Sequence, residues 1–228
     1  MLFLLLAILS SSMVSIVMRI SSGRIAANLS MLAVNYLVCS FLGAVYAGFD
    51  LWTWSTSGFA MMVGLGVISG ILYLAGFVML QRSVQKNGVV LSSVFMKLGL
   101  LVPIAMSLVF FHEIPTLAQI AGFCIVVGAI ILINLKKGSG HGDFGMGLIL
   151  LLLLGGGCDA MSKVFEVVGN AALSEQFLFY TFLMAFLLCA ALVIRSGERP
   201  GMREMMFGAL IGIPNFFSAK FLLLALTK

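Results

Sequence analysis

Apolar and polar positions alternate in long blocks along this chain. A bilayer's hydrocarbon core is crossed by an α-helix of about 20 apolar residues, at ~1.5 Å per residue. Eight apolar runs are long enough, at about residues 2–20, 29–49, 59–83, 89–111, 116–135, 144–165, 175–194 and 205–226. The pattern therefore predicts an all-α fold, a polytopic transmembrane helical bundle of about eight spans.

The composition supports the same class. The chain is 62% hydrophobic and 9% charged, which is more apolar surface than a water-soluble domain of this size buries. Its basic residues lie singly or in pairs at the ends of apolar runs, as in membrane proteins. The net charge of +5 therefore does not indicate nucleic acid, and no nucleic-acid partner is predicted. We expect a multi-pass protein of the bacterial inner membrane.

The stretch 95–135 consists of two apolar arms around a polar corner at residues 111–115, so it is predicted to be a transmembrane hairpin. Its marked positions are Lys97, Leu98, Pro103, the corner Phe111-His112-Glu113, Gly122 and Gly128. This order resembles the closing hairpin of the five-helix repeat in EamA-like transporters of the drug/metabolite transporter superfamily. The corner departs from the family pattern, because Ile114 stands where a basic residue is usual.

Spans one to three resemble spans six to eight. The parallels include Gly66 and Gly70 with Gly208 and Gly212, and Tyr36 with Tyr180. A unit with an odd number of helices, repeated in tandem, inserts its second copy upside down, as in many secondary transporters. Residues 1–137 are predicted to be a first five-helix repeat. Residues 138–228 are predicted to be the first three helices of the second, inverted repeat, after a glycine-rich linker at 136–143.

The resemblance implies ten helices, and a counterpart of residues 89–135 has no match at the end of this chain. Two explanations stay open. The chain is a fragment of a longer protein, which we favour, or it is a natural variant that recovers the missing wall by pairing.

Basic residues indicate an orientation. The odd-numbered loops hold Arg19, Arg24, Arg82, Lys86, Lys136, Lys137, Arg195, Arg199 and Arg203. The even-numbered loops hold Asp50, Glu113, Glu166 and Glu175, with Lys163 at the end of the sixth span. Because basic loops stay inside, the odd loops are predicted to be cytoplasmic and Met1 external. The family resemblance implies the opposite, with both termini in the cytoplasm.

Ionisable side chains within apolar helices are the main candidates for a site, because each costs ~2.5–3.5 kcal/mol if it faces lipid. Lys97 lies roughly 12 Å into span four and is interpreted as a contact for an anionic or zwitterionic substrate, or as a proton-exchanging group. The alternative is a lysine that extends to the nearer membrane surface. Pro103 is expected to kink the same span and free a carbonyl, with a purely structural kink as the alternative.

In span six, Asp159 and Lys163 share a face with Glu166. The carboxylate is interpreted either as neutralised by Lys163 or as a proton-coupling group. In span eight, Pro214 is expected to open the helix so that Asn215 faces a cavity, whereas Lys220 is closer to a surface. The predicted cavity residues are Lys97, Pro103, Ser11, Ser15, Tyr36, Tyr73, Asp159, Lys163, Asn215 and Lys220. For the serines, the alternative is a bond to their own backbone.

Enzyme chemistry has no support in the sequence. The four cysteines (Cys39, Cys124, Cys158 and Cys189) all lie inside apolar runs, so they are interpreted as small apolar side chains. The sequence has no nucleotide-binding loop, no zinc-type His/Glu spacing and no Ser/His/Asp set. No enzyme activity, cofactor or metal is therefore predicted.

The pattern and the resemblance together favour a secondary transporter, an exporter or other permease that moves a small polar metabolite such as an amino acid by alternating access. Its partners would be a small-molecule substrate and the lipid bilayer, with proton coupling and a homodimer left open. Two alternatives use the same scaffold. One is a non-transporting assembly or sensory subunit, and the other is a flippase for lipid-linked sugars.

Overall fold

The described part of the chain is mainly α-helical. The computed structural model describes residues 2–21, 23–99, 101–110, 146–198 and 200–226, with scattered positions between 116 and 128. The described residues contain no β-strand. The predicted all-α class is therefore confirmed.

Eight α-helices lie in the described part of the chain. They are α1 (Leu2–Ser21), α2 (Asn28–Tyr46), α3 (Phe59–Asn87), α4 (Val89–Leu98), α5 (Leu101–Val109), α6 (Met146–Val168), α7 (Ser174–Ser196) and α8 (Met202–Leu226). A 3₁₀ turn at Ala171–Leu173 leads directly into α7. Six helices are long and apolar enough to cross a membrane, namely α1, α2, α3, α6, α7 with its 3₁₀ turn, and α8. This confirms a polytopic membrane bundle.

The predicted fourth span is two short helices rather than one. α4 ends at Leu98, and the Gly99 amide donates to the Met96 carbonyl at 3.1 Å to form a turn. α5 begins at Leu101, so Pro103 is its third residue. Proline has no N–H to donate to the carbonyl four residues earlier, here that of Gly99, and its ring crowds that carbonyl. The Gly99 carbonyl accepts instead from the Val102 amide at 2.8 Å, so span four is interrupted one turn before Pro103, where a proline interrupts a helix. The predicted role of Pro103 in a cavity stays a prediction.

Much of the predicted closing hairpin cannot be compared with the structure. The corner at 111–115, the linker at 136–143 and most of the predicted fifth span, 116–135, lie outside the described residues.

The chain divides into two compact units, Met1–Leu74 with Met161–Lys228, and Ala75–Ala160. In the first unit, α2 is the core helix, because it packs against both α7 and α8, while α1 packs against α8. The second unit contains its own close contact between α4 and α6, where Gly155 faces the Met96 carbonyl.

Within the first unit, α3 approaches α7 through two glycines. A methyl group at Gly66 would lie 3.0 Å from the Cβ of Tyr180. One at Gly70 would lie 2.5 Å from the Thr181 carbonyl oxygen and 2.8 Å from the Cβ of Met184. No side chain larger than hydrogen fits at Gly70 without a shift of the backbones.

α8 approaches α2 in the same way. A methyl group at Gly208 would lie 2.7 Å from the Cβ of Val34. One at Gly212 would lie 2.9 Å from the Asn35 carbonyl oxygen and 2.8 Å from the Cβ of Val38. The spacing of four residues between glycines is the small-xxx-small pattern of closely packed membrane helices.

The two glycine contacts have one common register. The glycines of α3 and α8 differ by 142 positions, and the residues that they contact in α7 and α2 differ by 146. In this register Val34 corresponds to Tyr180, Asn35 to Thr181 and Val38 to Met184. Asn35 and Thr181 therefore occupy equivalent places. The sequence parallel between Tyr36 and Tyr180 is two residues out of this register.

Contacts along the helices give their directions. α2 and α7 are antiparallel, because Gly43 packs on Phe179 while the Cys189 thiol donates to the Leu29 carbonyl at 3.4 Å. This is the packing expected of two copies related by a two-fold axis in the membrane plane. The predicted boundary between the copies, at residues 137 and 138, lies outside the described residues and stays a prediction.

The first unit has two chemically different ends. One, the basic end, carries Arg19, Arg24, Arg195 and Arg203. The other, the tryptophan end, carries Trp52 and Trp54, which are each 69% exposed and stack with centroids 6.2 Å apart. Exposed tryptophans of this kind are typical of the membrane–water interface. Asp50, Glu166 and Glu175 lie at the tryptophan end, so this unit's described arginines are separated from these three carboxylates.

Replacing Gly70 with alanine is expected to lower the free energy of unfolding by about 1–3 kcal/mol, because the added methyl group overpacks the α3–α7 contact. The control is Gly64→Ala on the same helix, where the new methyl group would meet no atom of another described element within 4 Å. That change is expected to be neutral or stabilising by up to ~1 kcal/mol, since alanine is the better helix former. Unfolding in mixed micelles measures both. Equal destabilisation by the two variants would contradict the close contact.

Candidate functional site

A buried polar cluster lies where α2 meets α8. The side-chain amide of Asn215 donates to Oδ1 of Asn35 at 3.2 Å and approaches the Cys39 sulfur at 3.7 Å. The Cys39 thiol also lies 3.2 Å from the Gly212 carbonyl oxygen. All three polar side chains are buried. Pro214 lies inside α8 directly before Asn215, and a proline there removes one backbone hydrogen bond.

Three buried polar atoms of the first unit, one of them in this cluster, are free to form further hydrogen bonds. Nδ2 of Asn35, Oγ of Ser69 and Oγ1 of Thr181 are buried, and within the described residues none of these atoms has a hydrogen-bond partner. A buried polar atom without a partner costs about 1–3 kcal/mol. Asn35 and Thr181 are the equivalent positions of the two glycine contacts, so each contact holds an unsatisfied donor near the middle of its helix pair.

The predicted cavity residues Tyr36 and Tyr73 are joined by a hydrogen bond. The hydroxyl of Tyr36, which is fully buried, donates to the backbone carbonyl of Tyr73 at 3.0 Å. The Tyr73 ring lies edge-on to Phe182 at 5.3 Å, and Phe182 lies 6.1 Å from Phe216, next to Asn215. These aromatic rings form an apolar wall beside the amide cluster.

A second polar group, the charged cluster, consists of Tyr46, Glu175 and Lys220. The Lys220 ammonium lies 2.7 Å from Oε1 of Glu175 and 3.5 Å from the centroid of the Tyr46 ring. Its side chain is 13% exposed. Lys220 is therefore held inside the bundle by an anion and an aromatic face, instead of extending away from it.

The other members of the charged cluster are partly covered, since Tyr46 is 46% exposed and the Glu175 side chain 28%. The ring of Tyr46 stacks on Phe216 at 5.6 Å and meets the edge of Phe217 at 6.0 Å. Oε2 of Glu175 is buried and has no hydrogen-bond partner in the described part of the chain. The cluster thus binds one carboxylate oxygen and leaves the other available.

At the opposite end of α2, carboxylates bind its first turn. Oε1 of Glu204 accepts hydrogen bonds from the amides of Ala26 and Ala27, at 3.1 and 3.4 Å. Oε2 of Glu198 accepts from the amide of Ser30 at 3.2 Å. Amides in the first turn lack intrahelical partners and carry the positive end of the helix dipole, so anions stabilise them.

The remaining predicted cavity residues fall into three groups. Ser11 and Ser15 donate to backbone carbonyls one turn earlier in α1, at 3.0 and 3.3 Å, which is the alternative expected for serines. Lys163 lies 2.8 Å from Glu166, and Asp159 is a half-buried residue of the same helix. Lys97 belongs to α4, and its side chain lies outside what the structure describes.

Sequence reasoning missed Glu175 as the partner of Lys220. Glu175 was counted with the preceding loop and begins the predicted span 175–194, and it lies in the first turn of α7. An acidic residue early in an apolar helix is also typical of an interaction with the helix dipole, so its position alone does not indicate an ion pair. The distant partner, Lys220, is 45 positions away and cannot be found from spacing.

Metal binding has no support in the described residues, which contain no group of three or more His, Cys, Asp or Glu able to hold an ion. The cysteines are free thiols; Cys39, Cys158 and Cys189 are buried and Cys124 is exposed. No protein-family model matches the chain, and no curated protein matches it.

The amide pair gives a testable coupling. Asn215→Ala is expected to lower the free energy of unfolding by about 1–3 kcal/mol, because it leaves the buried Oδ1 of Asn35 with only the weak Cys39 thiol donor at 3.8 Å. Asn35→Ala should cost a similar amount. The double variant should cost clearly less than the sum, since both partners are then absent. Additive costs in a double-mutant cycle would show that the two amides do not interact.

Proposed function

We propose that this chain is a secondary transporter of the EamA-like type, which moves a small polar metabolite across the membrane by alternating access. One observation carries the proposal: α3 on α7 and α8 on α2 pack through glycine pairs in a single register, with α2 and α7 antiparallel. Inverted copies of this kind allow one arrangement to face each side of the membrane in turn.

The amide cluster supplies the polar centre that such a carrier needs. Asn35 lies near the middle of α2 and Asn215 near the middle of α8. In transporters built from inverted repeats, the substrate site lies near the membrane midplane, at the interface between repeats, and is formed by interrupted helices. α8 continues through Pro214, and the backbone hydrogen bond that this proline removes is a weak point at which the helix would open.

The chemistry of the cluster favours a polar ligand that both donates and accepts hydrogen bonds. Asn35 offers an amide N–H that has no partner among the described residues. Elsewhere in the first unit, Thr181 and Ser69 offer buried hydroxyl groups in the same state. These groups are neutral, so they would orient a ligand without requiring an opposite charge at the centre. The aromatic wall of Tyr73, Phe182 and Phe216 would face the ligand's apolar part.

The glycine contacts support motion as well as packing. Their surfaces carry no side chains that interlock, so two backbones in contact there would slide or tilt with little rearrangement of rotamers. The halves would therefore move against each other about α2, which contacts both α7 and α8.

The test is transport by the purified protein. Thermal-shift screening of a panel of small polar metabolites would select a ligand, and counterflow of that ligand would then be measured in proteoliposomes. We expect saturable counterflow, reduced at least ~10-fold by Asn215→Leu, which removes the polar centre without adding a charge.

The matched control for this assay is Gly64→Ala, which lies outside both clusters and should retain wild-type counterflow. If no metabolite of the panel moves faster than through protein-free liposomes, the transport proposal fails. The hypothesis of a non-transporting assembly or sensory subunit would then be favoured.

A further inference from the structure

The charged cluster connects two helices that otherwise make few direct contacts. α7 and α8 lie on either side of α2, which packs extensively on both. Lys220 belongs to α8 and Glu175 to α7, and Tyr46 is the last residue of α2. The ion pair of 2.7 Å therefore joins α7 to α8 across the end of α2.

The internal register provides a comparison for this cluster. With the offset of 146 between α2 and α7, Glu175 corresponds to Leu29 and Tyr46 to Leu192. With the offset of 142 between α3 and α8, Lys220 corresponds to Val78. All three equivalent positions are apolar. In the sequence register, therefore, the ion pair has no charged counterpart.

Stability does not explain the ion pair. Its two side chains are partly buried, with Lys220 13% and Glu175 28% exposed. An exposed pair contributes only about 0–1 kcal/mol, and a buried pair is often replaced by apolar residues of similar volume without loss of stability. The Glu175 carboxylate is also incompletely satisfied, because Oε2 has no hydrogen-bond partner within the described residues. A pair of this kind holds a specific arrangement, and it is released when either charge is neutralised.

The opposite end of α2 is held differently. Glu204 and Glu198 accept hydrogen bonds from backbone amides there, so their partners are uncharged N–H groups rather than ionisable side chains. Of the contacts described at the two ends of α2, the charged cluster is the one in which both partners are side chains of opposite charge.

We propose that Glu175, Lys220 and Tyr46 form an electrostatic latch that closes the tryptophan end of the protein. When it is closed, the Lys220 ammonium on the face of Tyr46 and the Glu175 carboxylate hold the start of α7 to the end of α8. When it opens, the two helix ends separate and expose the path towards the amide cluster. The role as a gate rests on the transport function proposed above, whereas the latch itself is a property of the fold.

Hydrogen exchange of the full chain in nanodiscs tests the latch. The main variant is Glu175→Gln with Lys220→Met, which removes both charges and so leaves no unpaired buried charge to unfold the protein. Amides at 174–180 and 216–226 should exchange at least about fivefold faster than in the wild type, because local opening becomes more frequent. Amides of α2 near Asn35 should be unchanged.

Two further variants make the result specific. Glu175→Lys with Lys220→Glu reverses the pair and should return exchange at least part of the way to wild type, since opposite charges meet again. Glu166→Gln removes a charge from the pair with Lys163, which lies within one helix at the same end. That pair joins no separate helices, so exchange at 174–180 and 216–226 should stay at the wild-type rate.

The outcomes separate the two proposals. Unchanged exchange in the double-neutral variant overturns the latch, even if wild-type protein transports a solute. Equal acceleration by Glu166→Gln overturns it too, because loss of any local charge would then suffice. Faster exchange without counterflow by the wild type keeps the latch and rejects the transport function.

Discussion

The close approach of helix backbones at two glycine pairs is the constraint on which the rest of the first unit depends. In a bilayer, apolar side chains gain little by leaving lipid for one another, so association depends on tight van der Waals contact. Gly70 and Gly212 allow α3 to reach α7 and α8 to reach α2. At larger separations Asn215 would lose Asn35, and the Cys39 thiol would lose the Gly212 carbonyl.

The core helix α2 obtains its end contacts from distant parts of the chain. Ala27, the residue before its first turn, provides no side-chain cap. Glu204 and Glu198 supply the missing acceptors, and Glu204 is 178 positions away from Ala26. Because local capping is absent, the start of α2 is fully satisfied only when α8 is in place. Helix formation and tertiary packing are therefore coupled at this point.

The hydrophobic pattern predicts the long helices to within a few residues because bilayer thickness dictates their length. A break in span four was expected from Pro103, whereas the close packing of Gly99 against Gly156 was not, since that contact joins residues far apart in sequence. Asn215 could be chosen as a candidate because it follows Pro214 in an apolar helix. Its partner could not, because 180 positions separate it from Asn35 and any polar residue of another span was an equal choice.

Tyr46, Glu175 and Lys220 lie at one end of the first unit, whereas the positions that match them in the glycine register, 192, 29 and 78, are apolar. The sequence register is therefore chemically inequivalent at this point. In a carrier driven by a solute gradient, such inequivalence leaves the final distribution of solute untouched, because the protein binds and releases the same molecule on both sides. It changes the rates at which the two faces open. In such a carrier, the inward and outward half-cycles would have different energy barriers. Solute would then cross faster in one direction than in the other at equal concentrations, while its final distribution stayed the same.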